Sequence, residues 1–148
     1  MLALLQRVTH ANVVINGNIS AAIEHGILIF LAIEPCDTEK EAQRLGERIL
    51  GYRIFQDSND KMNLNVQEIN GSILIVPQFT LAADTTKGMR PGFSTAANPA
   101  LGEKLFNYFV EKMREKYAKI ATGKFGANMK INLCNDGPVT MILKAINN

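Results

Sequence analysis

Few side chains in this sequence could act as acids, bases or nucleophiles near neutral pH, and their spacing builds no familiar catalytic unit. The histidines are His10 and His25, the cysteines Cys36 and Cys134. Hydrolysis driven by side chains needs a nucleophile, a base and a group that orients the base. Neither histidine accompanies a Gly-x-Ser-x-Gly elbow or a cysteine at a usable position. Both are expected to be surface or turn residues. No Walker or dinucleotide-type glycine pattern follows a strand, and neither His-x-x-x-His nor Cys-x-x-Cys occurs, which disfavours nucleotide hydrolysis and zinc catalysis. No metal and no cofactor is expected. Cys36 and Cys134 lie too far apart in the chain to suggest a metal pair or a disulfide framework and are expected to be buried and reduced.

One stretch is out of place: Asn135-Asp136-Gly137-Pro138-Val139-Thr140 separates residues 129–134 from 139–146, two runs that look like buried strands. Its residue types are those of a tight turn. A second irregular stretch, residues 82–97, is rich in Gly, Pro, Thr and Ser without periodicity, and loops of that length in small domains usually carry function.

The elements around these stretches can be read from local signals. Residues 2–8 and 11–15 are aliphatic and β-branched, Asn16-Gly17 suits a type I′ hairpin, and residues 19–23 follow, so the chain is expected to open as a β-meander. The uninterrupted apolar run 27–33 reads as a central strand covered on both faces. Thr38 and Glu41 have capping-box spacing ahead of a helix with Ala42, Leu45 and Ile49 on one face. Asn98-Pro99 starts a second helix reaching about Tyr117, with Leu101, Leu105, Phe109 and Met113 on its apolar side. With residues 72–79 as a further strand, the count is roughly seven strands and two helices. The fold expected is a single α/β domain over residues 1–148: a mixed, curved, barrel-like sheet covered by two helices in three α/β/β layers.

At 148 residues, with 20% charged and 47% hydrophobic residues, the chain has an ordinary globular composition. The start lacks a signal peptide or membrane span, so a cytoplasmic location is expected. Net charge is only +2, but Lys112, Arg114, Lys116, Lys119, Lys124 and Lys130 face Glu115 alone. That run is either a phosphate-facing patch or a solvated helix end followed by a polar loop.

Short motifs carry more than periodicity does. Gln6-Arg7-Val8 with Ala11 and Val13, Gly51-Tyr52-Arg53-Ile54-Phe55, Lys61-Met62-Asn63, Gln78-Phe79-Thr80-Leu81, Arg90-Pro91 with Phe93, and Asn135 to Thr140 occur in one order over nearly the whole chain. Together they closely resemble the D-aminoacyl-tRNA deacylase family. The resemblance implies a homodimer with active sites at the subunit interface, which hydrolyses the ester joining a D-amino acid to the terminal ribose of tRNA. It implies a cis Gly137–Pro138 peptide inserted from one subunit into the other's site as a chiral gate, proline being the residue before which a cis bond is accessible. Main-chain oxygens there would crowd an L side chain. Achiral glycine would pass, so glycyl-tRNA mischarged on tRNA(Ala) is an expected second substrate.

By the same resemblance, Gln78, Phe79 and Thr80 hold the scissile ester. Either the Thr80 hydroxyl attacks, or the tRNA 2′-hydroxyl activates water while amides near Phe79 and Thr80 stabilise the oxyanion. The absence of histidine from every motif favours the second route. Arg7 is placed beside the Gly-Pro segment to orient its carbonyls, with Asn135, Met89, Arg90, Pro91 and Phe93 as supporting contacts. Pro77 stands where the family usually has serine, removing a hydroxyl and an amide hydrogen and implying reduced turnover. Gly92 is a milder difference of the same kind. The alternatives are a catalytically weakened RNA-binding homodimer of this fold and a plain dimeric scaffold. No membrane or DNA partner is expected.

Overall fold

The structure is a computed structural model and describes residues 1–146. The strands are β1 Leu2–Ile15, β2 Asn18–Ile23, β3 Gly26–Ala32, β4 Phe55–Gln56, β5 Met62–Leu64, β6 Ser72–Pro77, β7 Ile120–Thr122 and β8 Lys130–Lys144. The helices are α1 Glu39–Gly51 and α2 Pro99–Lys116, with a 3-10 turn at Phe79–Ala82. Six strands form one mixed sheet in the order β2-β1-β3-β6-β7, with β8 along the other edge of β1; β4 and β5 pair separately.

The type I′ hairpin forms as expected, with Asn16 and Gly17 both at positive φ, 49° and 77°, between paired Ile15 and Asn18. The chain does not continue as a meander. Instead β3 returns to β1, pairing its first half, from Leu2↔Ala32 to Val8↔Gly26, while β2 occupies its second half. The long β1 allows this, because one edge of 14 residues seats two short strands end to end. The count also differs: residues 2–15 are one strand, as are 130–144, and the short β4, β5 and β7 raise the total.

Both helices start where their caps predict. The Thr38 hydroxyl accepts from Lys40 N, while Glu41 Oε2 accepts from Thr38 N at 2.8 Å and from its hydroxyl, which holds the Glu41 carboxyl below the usual carboxylate range. Asn98 Oδ1 accepts from Leu101 N at 2.9 Å. The apolar faces of α1 and α2 bury Leu45, Ile49, Leu105 and Phe109 against Leu5, Ile27, Ile29, Ile73 and Ile75. On the opposite face, β2, the far half of β1 and the start of β8 curl over Leu28, Leu74 and Val76, making a second core with Val8, Val13 and Ile23. These are the three layers expected.

Cys36 and Cys134 are exposed rather than buried. Cys36 lies in the turn before α1, and on β8 the alternation that packs Ile131 and Leu133 inward turns Cys134 outward. His10 and His25 are exposed, as expected. The basic run is partly engaged within the molecule: Lys112 pairs with Glu115, Lys116 with Glu47, and Lys119 donates to Asn70 O.

One partly buried ion cluster should make the stability depend on pH. The Met1 ammonium donates to Glu34 Oε2 at 2.7 Å and Asp37 Oδ1 at 2.6 Å, and Lys144 Nζ donates to Glu34 Oε1 at 3.2 Å. Burial pushes the Glu34 carboxyl up, but the two cations outweigh it and hold the group below its ordinary value of 4.5. A carboxyl lowered by folding adds stability that is present above its unfolded value and lost as pH falls through the folded one. Glu34→Gln should therefore flatten the acid-side fall in the urea midpoint, measured at fixed protein concentration. A curve parallel to the parent's would remove this cluster from the acid sensitivity.

Candidate active site

The β3 and β6 strands run parallel, with Leu31 opposite Pro77, and a cavity of about 740 Å³ opens where both end. Crevices beyond the carboxyl ends of parallel strands are the usual ligand sites of α/β sheets. Leu31, Ile33 and Val76 form its floor, the start of α2 and the loops after the 3-10 turn and after β7 its walls, and Gln78 and Phe79 its rim. The lining is mostly apolar, as expected of a small-molecule site.

At the rim, Gln78 N donates to Leu31 O at 2.8 Å, extending the parallel ladder by one bond before the chain turns into the 3-10 segment. The first amides of such a turn have no acceptor within it. Among the described residues, the amides of Phe79 and Thr80 donate to no protein group. Gln78 Nε2 donates to Thr80 Oγ1, engaging that oxygen as an acceptor. The Phe79 ring is 58% exposed and meets Phe93 edge-on, 5.2 Å between centroids. The loop carrying Phe93 is tied back by Asp84 and Gly92, which exchange two main-chain bonds, by Thr95 Oγ1 donating to Ala82 O, and by Ala97 N donating to Ile33 O. Met89, Arg90 and Pro91 sit at its exposed tip, and none of them lines the cavity. Sequence reasoning missed the opposite wall, Phe125, Ala127, Asn128 and Met129. The only signal there was Phe125-Gly126 inside a basic loop.

A second cluster gathers the remaining candidates. Val8 pairs with Asn135 and Gln6 with Thr140, so a two-residue step on β1 faces a five-residue step on β8, and the excess is pushed out as a bulge. The stretch that resembled a turn is thus a protrusion from one continuous strand. Gly137 and Pro138 are exposed at its crest, Gly137 at φ 135° and joined to Pro138 by a cis peptide bond. Its base is pinned: Asn135 Oδ1 accepts from Val139 N at 3.0 Å, and Thr140 Oγ1 accepts from Asn135 Nδ2 and Gln6 Nε2. Arg7 is only 7% exposed, not a surface arginine; its Nε donates to Asp136 O at 3.0 Å and its Nη1 to Ile54 O at 2.7 Å.

The two clusters do not meet within one chain. From β8 to β6 there are three strand spacings, about 14 Å, and Gln78 lies beyond the row Arg7-Ile27-Ile73 by a further 16 Å or so along the strand. No residue of the bulge lines the cavity. Between them lies an uncovered strip of sheet: Ile142, Leu4 and Phe30 form one row across β8, β1 and β3, which continues to Val76 in the cavity floor. Ile142 is 62% exposed and Leu4 and Phe30 are half-buried.

Comparison with known proteins gives the family. The family model described as D-Tyr-tRNA(Tyr) deacylase matches residues 4–144. This chain belongs to that family. It is 57% identical over 143 residues to the D-aminoacyl-tRNA deacylase of Colwellia psychrerythraea, covering 97% of this chain and 99% of that one, and 57% identical over 144 residues to the Yersinia pestis protein of that name, with the same coverage. Among solved structures, the c-Myc DNA unwinding element binding protein superposes with a TM-score of 0.95 at 39% identity, over 99% of this chain and 100% of that one. A probable eukaryotic D-amino acid tRNA deacylase shares the fold, with a TM-score of 0.81 at 20% identity over 96% and 97% of the two chains.

Pro77 touches the cavity. Its ring lines the wall, and because the ladder bond at this point comes from Gln78 N, the missing amide hydrogen leaves the β3–β6 pairing intact at its last rung. Gly92 keeps its own main-chain pairing with Asp84.

Proposed function

We propose that this protein is an esterase that frees D-amino acids from tRNA, working as a homodimer whose two sites are each built from both chains. The observation that carries the reading is the full-length identity to D-aminoacyl-tRNA deacylases. The cavity gives it a mechanism. The ester carbonyl docks against the Phe79 and Thr80 amides, which would take up the negative charge of the tetrahedral intermediate. The ribose 2′-hydroxyl activates the attacking water. Thr80 is a poor nucleophile because its oxygen already accepts from Gln78 and neither histidine lines the cavity.

The distance between the clusters supports the two-chain site. A second copy packed isologously on the Ile142-Leu4-Phe30 strip would cover that apolar surface and bring its own bulge towards this chain's cavity. In that arrangement Gly137 and Pro138 face the substrate α-carbon and exclude L side chains, while Arg7 and Asn135 hold the bulge in place. Glycyl-tRNA is cleaved as well, having no side chain to exclude. Met89, Arg90 and Pro91 extend from the exposed loop tip, where they contact the tRNA or the partner chain. A cytoplasmic location follows from such a substrate; among the described residues no helix is long and apolar enough to cross a membrane.

The decisive assay is D-tyrosine release from D-tyrosyl-tRNA, with the L-ester as control. A D-ester that survives the pure protein ends the proposal. For the mechanism, Thr80→Ala should keep cleavage within about tenfold of the parent, whereas tRNA ending in 2′-deoxyadenosine should be cleaved at least about a hundredfold more slowly, the scale of a lost general base. The opposite pattern makes Thr80 the nucleophile.

A further inference from the structure

Two of the shared motifs, Gly51 to Phe55 and Lys61 to Asn63, touch neither the cavity nor the bulge crest. In the structure Phe55 lies on one arm of the β4–β5 hairpin and Met62-Asn63 on the other, paired Phe55↔Leu64 and Gln56↔Met62, while Gly51 ends α1 and Tyr52 to Ile54 lead into β4. For strands of two and three residues the hairpin is heavily tied. Asp57 Oδ1 accepts from Asn59 N at 2.8 Å and Lys61 N at 3.1 Å, and its Oδ2 accepts from Asn63 Nδ2 at 3.2 Å. Asn63 Oδ1 accepts from Arg53 Nη1 at 3.0 Å, closing the link between the arms. Asp60 completes the turn at φ 58°.

What this tying fixes lies at the root of the hairpin. Ile54 is 1% exposed and Phe55 2%, and the Phe55 ring meets His25 edge-on. The Ile54 carbonyl accepts the buried bond from Arg7 Nη1. With its guanidinium plane set at that end, Arg7 has one direction left for Nε, towards Asp136 O at the foot of the bulge. A β4–β5 segment free to shift would let Arg7, and with it the Asp136-Gly137 carbonyls, move too.

We propose that the β4–β5 hairpin is a positioning element for stereochemical discrimination, with Asp57 and Asn63 acting on the Gly137–Pro138 bulge through Ile54 and Arg7. This rests on the gate described under Proposed function and adds to it residues that touch no substrate. The test compares D- and L-tyrosyl-tRNA cleavage by the parent, Asp57→Ala, Asp57→Asn and Asn63→Ala dimers. Asp57→Ala and Asn63→Ala should cleave the D-ester within about twofold of the parent while the D-over-L ratio falls about tenfold, a size typical of indirect coupling. Asp57→Asn, which keeps the acceptor for Asn59 N and Lys61 N, should restore most of the ratio. A ratio unchanged in both alanine variants, or both activities falling in equal proportion as a merely structural role requires, overturns the proposal. A parent with no D-over-L preference would instead overturn the gate itself, so the two failures are distinguishable.

Discussion

Ile142→Asp should yield a folded monomer that has lost its preference for D- over L-aminoacyl-tRNA. The side chain is 62% exposed in the single chain, so the substitution falls among surface changes that cost a protomer within about 0.5 kcal/mol. Its effect lies in the proposed homodimer. Ile142 stands at the edge of the apolar row it forms with Leu4 and Phe30, and burying an unpaired carboxylate there would cost several kcal/mol, weakening association a thousandfold or more. With the partner gone, the cavity keeps its Phe79 and Thr80 amides but loses the neighbouring bulge. Sedimentation velocity reads the assembly, and D- against L-tyrosine release reads the site. A monomeric variant that still cleaves the D-ester with full D-over-L preference would show that one chain suffices. A parent that sediments as a monomer at micromolar concentration would do the same.

How far such a site can be read from sequence depended on whether its signal was local. The helix starts were legible, because Thr38-Glu41 and Asn98-Pro99 satisfy amides within three residues of themselves. The three layers followed from the continuous apolar run in β3, which demands cover on both faces. The strand order did not, since nothing local says that β3 will choose the first half of β1 over its hairpin neighbour β2. Residues 135–140 show the limit most directly: glycine, proline and asparagine favour a bulge for the same conformational reasons that they favour a turn, and only the β1 register separates the two. Cys134 was misjudged from residue type when the alternation of Ile131 and Leu133 already pointed it outward.

The residues of the candidate site divide along the same line. Gln78, Phe79 and Phe93 come together because they sit at the end of one strand and on the loop that folds back over it. The far wall, Phe125 to Met129, had no motif of its own and became visible only when β7 took its place beside β6. Arg7 lies 129 residues from the carbonyl it holds, a contact that resemblance anticipated but that no periodicity could supply.

That contact carries the second large prediction. Arg7→Met keeps an apolar side chain of similar length but withdraws donors from two carbonyls, those of Asp136 and Ile54, and the cation that stands 3.6 Å from the Asp136 carboxylate. Charge-assisted bonds of this kind contribute roughly 1.5–3 kcal/mol each, and an acceptor left buried carries its full desolvation penalty. Because Asp136 O is nearer solvent than Ile54 O and water can reach it, the expected loss in urea unfolding is about 2–4 kcal/mol rather than twice that. An arginine at an ordinary surface position would change stability by no more than about 0.5 kcal/mol. The functional loss should exceed the structural one. Gly137 has room for no side chain, since a Cβ there would stand 2.8 Å from Val139 Cγ2 and 3.0 Å from Arg7 Nη2, so the guanidinium is itself one wall of the bulge. Without that wall and the bond to Asp136, the crest can shift by an ångström, a displacement able to change a rate a hundredfold. The D-over-L ratio should fall by about that factor, mainly through faster L-ester cleavage, while the Phe79 and Thr80 amides continue to serve the D-ester. If Arg7→Met loses stability as expected yet discriminates as sharply as the parent, the guanidinium supports the fold alone and the crest is held by Asn135 and Thr140.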